Sequence, residues 1–180
     1  SDPEISEAID FLDYYGRQAL VFEKLPGISL VGRGVAVVVP PWNFPIAIPA
    51  GGLAAALAAG NTVILKPSPD ALLVAFRLCE CFWDAGISRK VLQFVPTIGI
   101  PEAQRMVTHE DSSVVIFTGG TETAQTILRA KPRLEFFAET GGKNATIVTS
   151  LADREQAIKH IVHSAFSHSG QKCSATSLLI

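Results

Sequence analysis

Hydrophobic positions along the chain recur with two periods, and their alternation predicts a layered α/β fold. Asp2-Pro3 offers an N-cap with proline at the first helical position, and Ile5, Ile9, Leu12 and Ala19 then share one helical face, ended by Pro26-Gly27. After Gly32-Arg33-Gly34 the period changes. Val35-Ala36-Val37-Val38-Val39 is an unbroken apolar, largely β-branched run, the pattern of a strand buried on both faces of a parallel sheet, and Pro40-Pro41 stops it. The alanine- and glycine-rich stretch from Ile46 to Ala59 reads as a buried helix closed by Gly60-Asn61, followed by a second strand over Thr62 to Leu65.

Ser68-Pro69 repeats the cap-and-proline start. Leu72, Phe76, Cys79 and Trp83 are then spaced as one helical core face, closed by Gly86. A third strand is expected over Val91 to Val95, a short helix over Pro101 to Val107, and a fourth strand over Val114 to Phe117 ending at Gly119-Gly120. A helix from Thr121 to Ala130 precedes strands at Leu134 to Ala138 and Ala145 to Val148. Asp153 with Gln156 three residues on resembles a capping box, and Ile158, Ile161, Val162, Ala165 and Phe166 form the expected apolar face of the last helix. Ser177 to Ile180 is strand-like. The class is therefore α/β, a Rossmann-like, mostly parallel sheet with helices on both faces, in which ligands bind beyond the carboxyl ends of the strands.

Composition narrows the partner. With 15 basic and 17 acidic residues among 180 and no run of either sign, the chain carries no footprint for nucleic acid or an anionic membrane. A small-molecule partner is expected. The most apolar stretch is shorter than a membrane span, so no membrane span is expected. Three cysteines, two of them inside an apolar helical pattern, make no disulfide framework and suit a reducing compartment. A cytoplasmic protein is expected, or one of the mitochondrial matrix in a eukaryote. No metal site is called.

Five segments carry residues suited to chemistry. Cys173, in Ser169-Gly170-Gln171-Lys172-Cys173-Ser174-Ala175, follows a helix and a glycine turn and has a lysine beside it, a setting that favours a reactive thiolate. In Pro40-Pro41-Trp42-Asn43-Phe44-Pro45 the prolines fix the backbone and leave Asn43 either to donate to an oxyanion or to cap the next helix. Lys66 in Lys-Pro-Ser-Pro stands at a strand end beside a helix start, suited to phosphate or ribose hydroxyls or simply solvated. Phe117-Thr118-Gly119-Gly120-Thr121-Glu122-Thr123-Ala124 is a strand, glycine turn and helix start, either a plain βα turn or a seat for a diphosphate on bare N–H groups. Glu139, at a strand end before Gly141-Gly142-Lys143-Asn144, would have its pKa raised toward that of a general base if partly buried.

Taken together these segments resemble the aldehyde dehydrogenase superfamily. Asn43, Lys66, Gly119, Glu139 and Cys173 occur in the family's order, with 23 residues from the asparagine to the lysine and 34 from the glutamate to the cysteine. The resemblance covers essentially the whole chain, and family members are more than twice as long, so the chain is expected to be a fragment that stops just past the nucleophile. Residues 1–168 are then an incomplete nucleotide-binding domain and 169–180 the start of a truncated thiol-bearing domain. The resemblance implies that Cys173 adds to an aldehyde, that Asn43 and the Cys173 N–H hold the oxyanion, and that Glu139 activates water against the thioester. It implies that Trp42, Lys66, Ser68, Gly119, Gly120 and Thr121 bind the cofactor.

That cofactor is NAD, or NADP, because Pro69 stands where many NAD-using members have a glutamate and the adjacent Ser68 suits a 2′-phosphate. Ala124 replaces the last glycine of the family's turn. Ser-Gly-Gln-Lys-Cys-Ser-Ala, with Glu7 to Phe11 and Tyr14-Tyr15, is most similar to the 1-pyrroline-5-carboxylate (glutamate semialdehyde) dehydrogenases, alone or fused in proline-utilisation proteins. Lys172 is then expected to pair with a substrate carboxylate, and Ser174 to bind the substrate. The alternatives are another semialdehyde, such as that of succinate, and a non-catalytic interaction module. A homo-oligomer is expected, and the isolated fragment is expected to self-associate without turnover.

Overall fold

The computed structural model describes residues 2–180, which group into two compact units, 2–139 and 140–180. In the first, α1 (Asp2–Glu23), β1 (Val35–Val39), α2 (Ala47–Ala58), β2 (Thr62–Leu65), α3 (Leu72–Asp84), β3 (Leu92–Phe94), α4 (Ile100–Thr108), β4 (Ser112–Gly119) and α5 (Thr121–Ala130) alternate, and β5 (Glu135–Thr140) follows. The strands lie in the order β3-β2-β1-β4-β5, with β1 parallel to both β2 and β4 and β2 parallel to β3. The expected parallel α/β sheet is present, and β1, β2 and α5 have the residue bounds that the sequence pattern predicts.

Alternation along β1 divides the core between the two faces. Ala36 and Val38 point to a layer with Leu53 and Ala56 of α2 and Ala75, Cys79 and Phe82 of α3, whereas Val37 and Val39 point to Val107 of α4 and Ala124 and Ile127 of α5. Helices therefore cover both faces. Because β1 is central, four of its five residues are buried, which is why its pattern shows no polar alternation.

Two helices bury a different face from the one their spacing predicts. On α1 the expected stripe Ile5, Ile9 and Leu12 is exposed, and Glu4, Ala8, Phe11 and Tyr15 turn inward instead. The reason lies in α2. Its N-cap position is Ile46, which brings no side-chain cap, and Glu4 Oε1 accepts the N–H groups of Ile46 at 2.7 Å and Ala47 at 3.2 Å. An anion at a helix N-terminus is favoured, and once Glu4 is docked the residues one turn apart must follow it. Phe11 then sits over Gly51, where a methyl group would come within 3.0 Å of its ring. On α3 the core face is Ala75, Cys79 and Phe82, with Phe76 and Trp83 half-buried, and Leu72 is exposed. Leu72 is excluded because a 3₁₀ turn over Pro69–Ala71 precedes α3 and gives the inward position to Ala71. Trp83 is held by its indole N–H donating to the Leu92 carbonyl at 3.0 Å and by the Arg89 guanidinium 3.8 Å over its ring. Cys79 is a buried free thiol, its pKa pushed up to about 12 by burial, and Cys81 is free and exposed.

The second unit contains β6 (Asn144–Thr146), α6 (Arg154–Phe166) and β7 (Thr176–Leu179). β6 and β7 pair in parallel, with an irregularity between Asn144 and Ala145 that leaves Ser177 as the extra residue of β7. Asp153 caps α6 by accepting the Gln156 N–H at 3.0 Å, as the capping pattern predicts. The expected apolar face of α6 is not a core: no residue of this helix is buried, and Ile158, Val162 and Phe166 are exposed. Three short elements cannot enclose such a stripe. Among the described residues no helix is long and apolar enough to cross a membrane.

Candidate active site

Where β1, β2 and β4 end at the same edge of the sheet, a pocket of about 300 Å³ opens in the first unit. Its walls come from four places that are distant in sequence. Val39-Pro40-Pro41 follows β1, Lys66, Ser68 and Pro69 follow β2, Phe117 to Gly120 end β4, and Ile100, Ala103, Gln104 and Val107 come from α4. Thr123, Thr126 and Ile127 of α5 complete it. Parallel strands all point their carboxyl ends to this edge, so residues from separate turns converge there.

Lys66, Ser68, Gly119 and Gly120 are brought together in this pocket. Lys66 is half-buried, and burial lowers the pKa of its ammonium, which has no ion pair among the described residues. The glycine turn has two distinct parts. A methyl group on Gly119 would come within 2.6 Å of the Phe117 ring, so that glycine is required by packing. At Gly120 the nearest atom to such a methyl would be Thr123 Oγ1 at 3.9 Å, which leaves open space in front of the α5 N-terminus. Gly120 is the N-cap of α5, contributes no side chain, and leaves first-turn N–H groups for an anion. Among the described residues no acidic side chain lines the pocket. A cationic lysine, a serine hydroxyl and an uncapped helix start around one cavity fit the ribose and diphosphate of a dinucleotide.

The other expected cofactor residues do not line this cavity. Thr121 is the first residue of α5 and exposed, Trp42 is 46% exposed, and Asn43 is half-buried in the turn after Pro41. The N-cap position of α2 is Ile46, three residues after Asn43, and Glu4 accepts the N–H groups of Ile46 and Ala47. Glu139, near the end of β5, is exposed, so the partial burial expected of it is not found; its side chain extends from a strand end whose residues 137–139 face solvent. The contributions of Gln104 and Thr126 escape a sequence reading, because α4 and α5 reach the pocket only through the sheet order.

In the second unit the thiol stands at a turn. His168, Ser169 and Gly170 all have left-handed backbone angles, with φ of 53°, 56° and 70°, although only the last is a glycine. The expected glycine turn is thus a longer left-handed run. The Ala175 N–H donates to the Lys172 carbonyl at 3.1 Å, which places Cys173 and Ser174 at the two corners of a β-turn. Cys173 is a free, exposed thiol, Ser174 is exposed and Lys172 half-buried. Among the described residues no group of three His, Cys, Asp or Glu side chains could hold a metal ion.

Comparison with known proteins gives the same picture. The family model described as aldehyde dehydrogenase family matches residues 1–180. A 1-pyrroline-5-carboxylate dehydrogenase of Geobacillus thermodenitrificans is 39% identical, the match covering 100% of this chain and 38% of that protein. Among solved structures, proline utilization A from Corynebacterium freiburgense superposes with a TM-score of 0.93 at 42% identity, over 99% of this chain and 18% of that one. A 1-pyrroline-5-carboxylate dehydrogenase from Thermus with bound NAD gives 0.88 at 38% identity, over 98% of this chain and 38% of that one. The chain thus spans less than two fifths of the curated relatives it matches. With its parallel sheet, the pocket at the carboxyl edge and a family match over its whole length, this chain belongs to the aldehyde dehydrogenase family.

Proposed function

We propose that the chain supplies the nucleotide-binding and thiol-bearing parts of an enzyme that oxidises L-glutamate 5-semialdehyde, the open form of 1-pyrroline-5-carboxylate, to glutamate with NAD. The observation that carries this reading is a pocket that joins Lys66 and Ser68 to the glycine turn of α5. The substrate is supported by relatives named 1-pyrroline-5-carboxylate dehydrogenase, one of them solved with NAD, and by Lys172 beside the thiol. Within this reading residues 1–168 belong to the nucleotide-binding domain and 169–180 open the thiol-bearing one. Three free thiols suit a reducing cytoplasm.

Lys66 and Ser68 would hold the adenosine ribose, and the N–H groups that follow Gly120 would hold the diphosphate. Bound there, the nicotinamide supplies a hydride acceptor. The Cys173 thiolate adds to the aldehyde carbon, and Asn43 with the Cys173 N–H stabilises the oxyanion. Glu139 takes a proton from the water that attacks the thioester, releasing the carboxylic acid and restoring the thiol. Lys172 would pair with the substrate's carboxylate, with Ser174 also binding the substrate, which selects a semialdehyde over a plain alkyl aldehyde. Ser68, beside Pro69 in the pocket wall, suits a 2′-phosphate and makes NADP the second candidate acceptor.

In the enzyme that contains this chain, Cys173→Ala abolishes aldehyde oxidation and leaves NAD binding within about twofold, measured by fluorescence titration. Retained turnover would remove Cys173 from the chemistry. Glu139→Gln gives a burst of reduced cofactor followed by a slow steady state, because a base is needed only for hydrolysis, and an equally slowed burst would count against that role.

A further inference from the structure

We propose that Asn144 is a positioning residue for Cys173, gripping the carbonyl of the turn on which the thiol stands; this rests on the reading of Cys173 as the nucleophile. The Asn144 Nδ2 donates to the Cys173 carbonyl at 2.6 Å and to the Ala175 carbonyl at 3.0 Å. Two carbonyl acceptors at one place fix which end of the amide faces them, and both N–H bonds of the group are used. Asn144 is itself held in β6, paired with Thr176 of β7.

The position of the gripped carbonyl matters. Cys173 and Ser174 occupy the corners of the turn closed by the Ala175 N–H and the Lys172 carbonyl, so the peptide between them is the one that flips when a turn changes from type I to type II. Such a flip reverses the Cys173 carbonyl and changes ψ of Cys173, on which the rotamer preference of its side chain depends. Upstream the chain is set by the left-handed run His168 to Gly170, and the Gln171 N–H donates to the His168 carbonyl at 3.0 Å. Downstream, Thr176 donates from its N–H to Ser164 Oγ at 3.1 Å. Between these anchors Asn144 holds the corner peptide by its carbonyl. Gly142 lies beside the contact without crowding it, since even a methyl group there would stand 3.6 Å from Asn144 Oδ1 and 3.9 Å from the Cys173 carbonyl oxygen, ordinary contact distances.

The test is the rate of iodoacetamide alkylation at Cys173 in the 180-residue chain, resolved by peptide mass spectrometry, with exposed Cys81 as internal reference. Asn144→Asp keeps the shape but faces two carbonyls with an acceptor, and Asn144→Ala removes the group. Both are expected to lower the Cys173-to-Cys81 rate ratio about three- to tenfold, the equivalent of a hydrogen bond's net contribution. Asn144→Gln, which keeps the donor, recovers part of the loss. Thr146→Val breaks a bond of the same strand pair without touching the turn, and is expected to leave the ratio within about 1.5-fold. An unchanged ratio in the Asp and Ala variants overturns the proposal. So does an equal fall in Thr146→Val, or loss of hydrogen-exchange protection at the Ile180 amide, which donates to Thr146, because either would make Asn144 a support of the strand pair alone. If Cys173 in the unaltered chain reacts no faster than Cys81, it is the nucleophile reading that fails, and the response to Asn144 substitution is still read from the same ratio.

Discussion

The unit ending at Glu139 and the unit beginning at Thr140 are held together by different forces. In the first, a five-stranded sheet has an apolar layer on each face, and side chains such as Leu53, Leu65 and Leu92 are fully enclosed. The second has no buried residue in its helix, and side-chain hydrogen bonds add to its backbone strand pair: Asn144 to the Cys173 turn, and Thr176 to both Ser164 and Thr146. The hydrophobic effect is non-directional and fills a scaffold, whereas hydrogen bonds are directional and aim particular groups. A nucleotide pocket needs the scaffold, because its walls must converge from several strands. A nucleophile needs the aim.

Core truncation breaks the comparison most sharply. Leu53→Ala removes a fully buried side chain and is expected to destabilise the first unit by about 2–5 kcal/mol in urea unfolding. Phe166→Ala, at 73% exposure in the second unit, is expected to change stability by no more than about 0.5 kcal/mol. A large loss at Phe166 would show that the second unit has an apolar core after all.

The two glycines of the α5 turn separate packing from binding. Gly119→Ala forces a methyl group against Phe117 and is expected to cost about 1–3 kcal/mol of stability. Gly120→Ala meets no atom closer than 3.9 Å, so stability stays within about 0.5 kcal/mol, while isothermal titration should show weakened NAD binding because the new methyl occupies the diphosphate's approach. Unchanged binding in that variant would argue against this turn as the diphosphate seat. In the second unit, Thr176→Val leaves Ser164 and Thr146 without their shared partner and is expected to cost about 1–2 kcal/mol, read from hydrogen exchange at the β7 amides.

The smallest effect is a pH dependence at Lys66. Burial holds its folded-state pKa below the ordinary value of 10.5, so below both values the native state carries the cost of a desolvated cation. As pH rises through the folded value toward 10.5, the native state sheds its proton before the unfolded chain does, and stability increases. Lys66→Met should remove that gain when urea midpoints at pH 8 and pH 10 are compared, and an identical alkaline gain in the variant would assign it to other groups.

The sequence by itself settles whatever depends on neighbours along the chain. The valine run of β1, the bounds of α5 and the Asp153 cap of α6 follow from side-chain period and local hydrogen bonding, and the structure repeats them. The ordered set Asn43, Lys66, Gly119, Glu139 and Cys173 is legible for the same reason, since each marks the end of a strand or a turn. Only the tertiary structure decides matters of direction. It chooses which face of α1 is buried, because docking the Glu4 carboxylate on α2 fixes the helix rotation and outweighs the exposure of Ile5 and Ile9. It brings Gln104 of α4 into the wall of the pocket with Lys66, because strand order is not written in spacing. It leaves Glu139 exposed, and it turns Asn144 onto the Cys173 carbonyl 29 residues away, because a directional bond between distant residues exists only once β6 and β7 have paired.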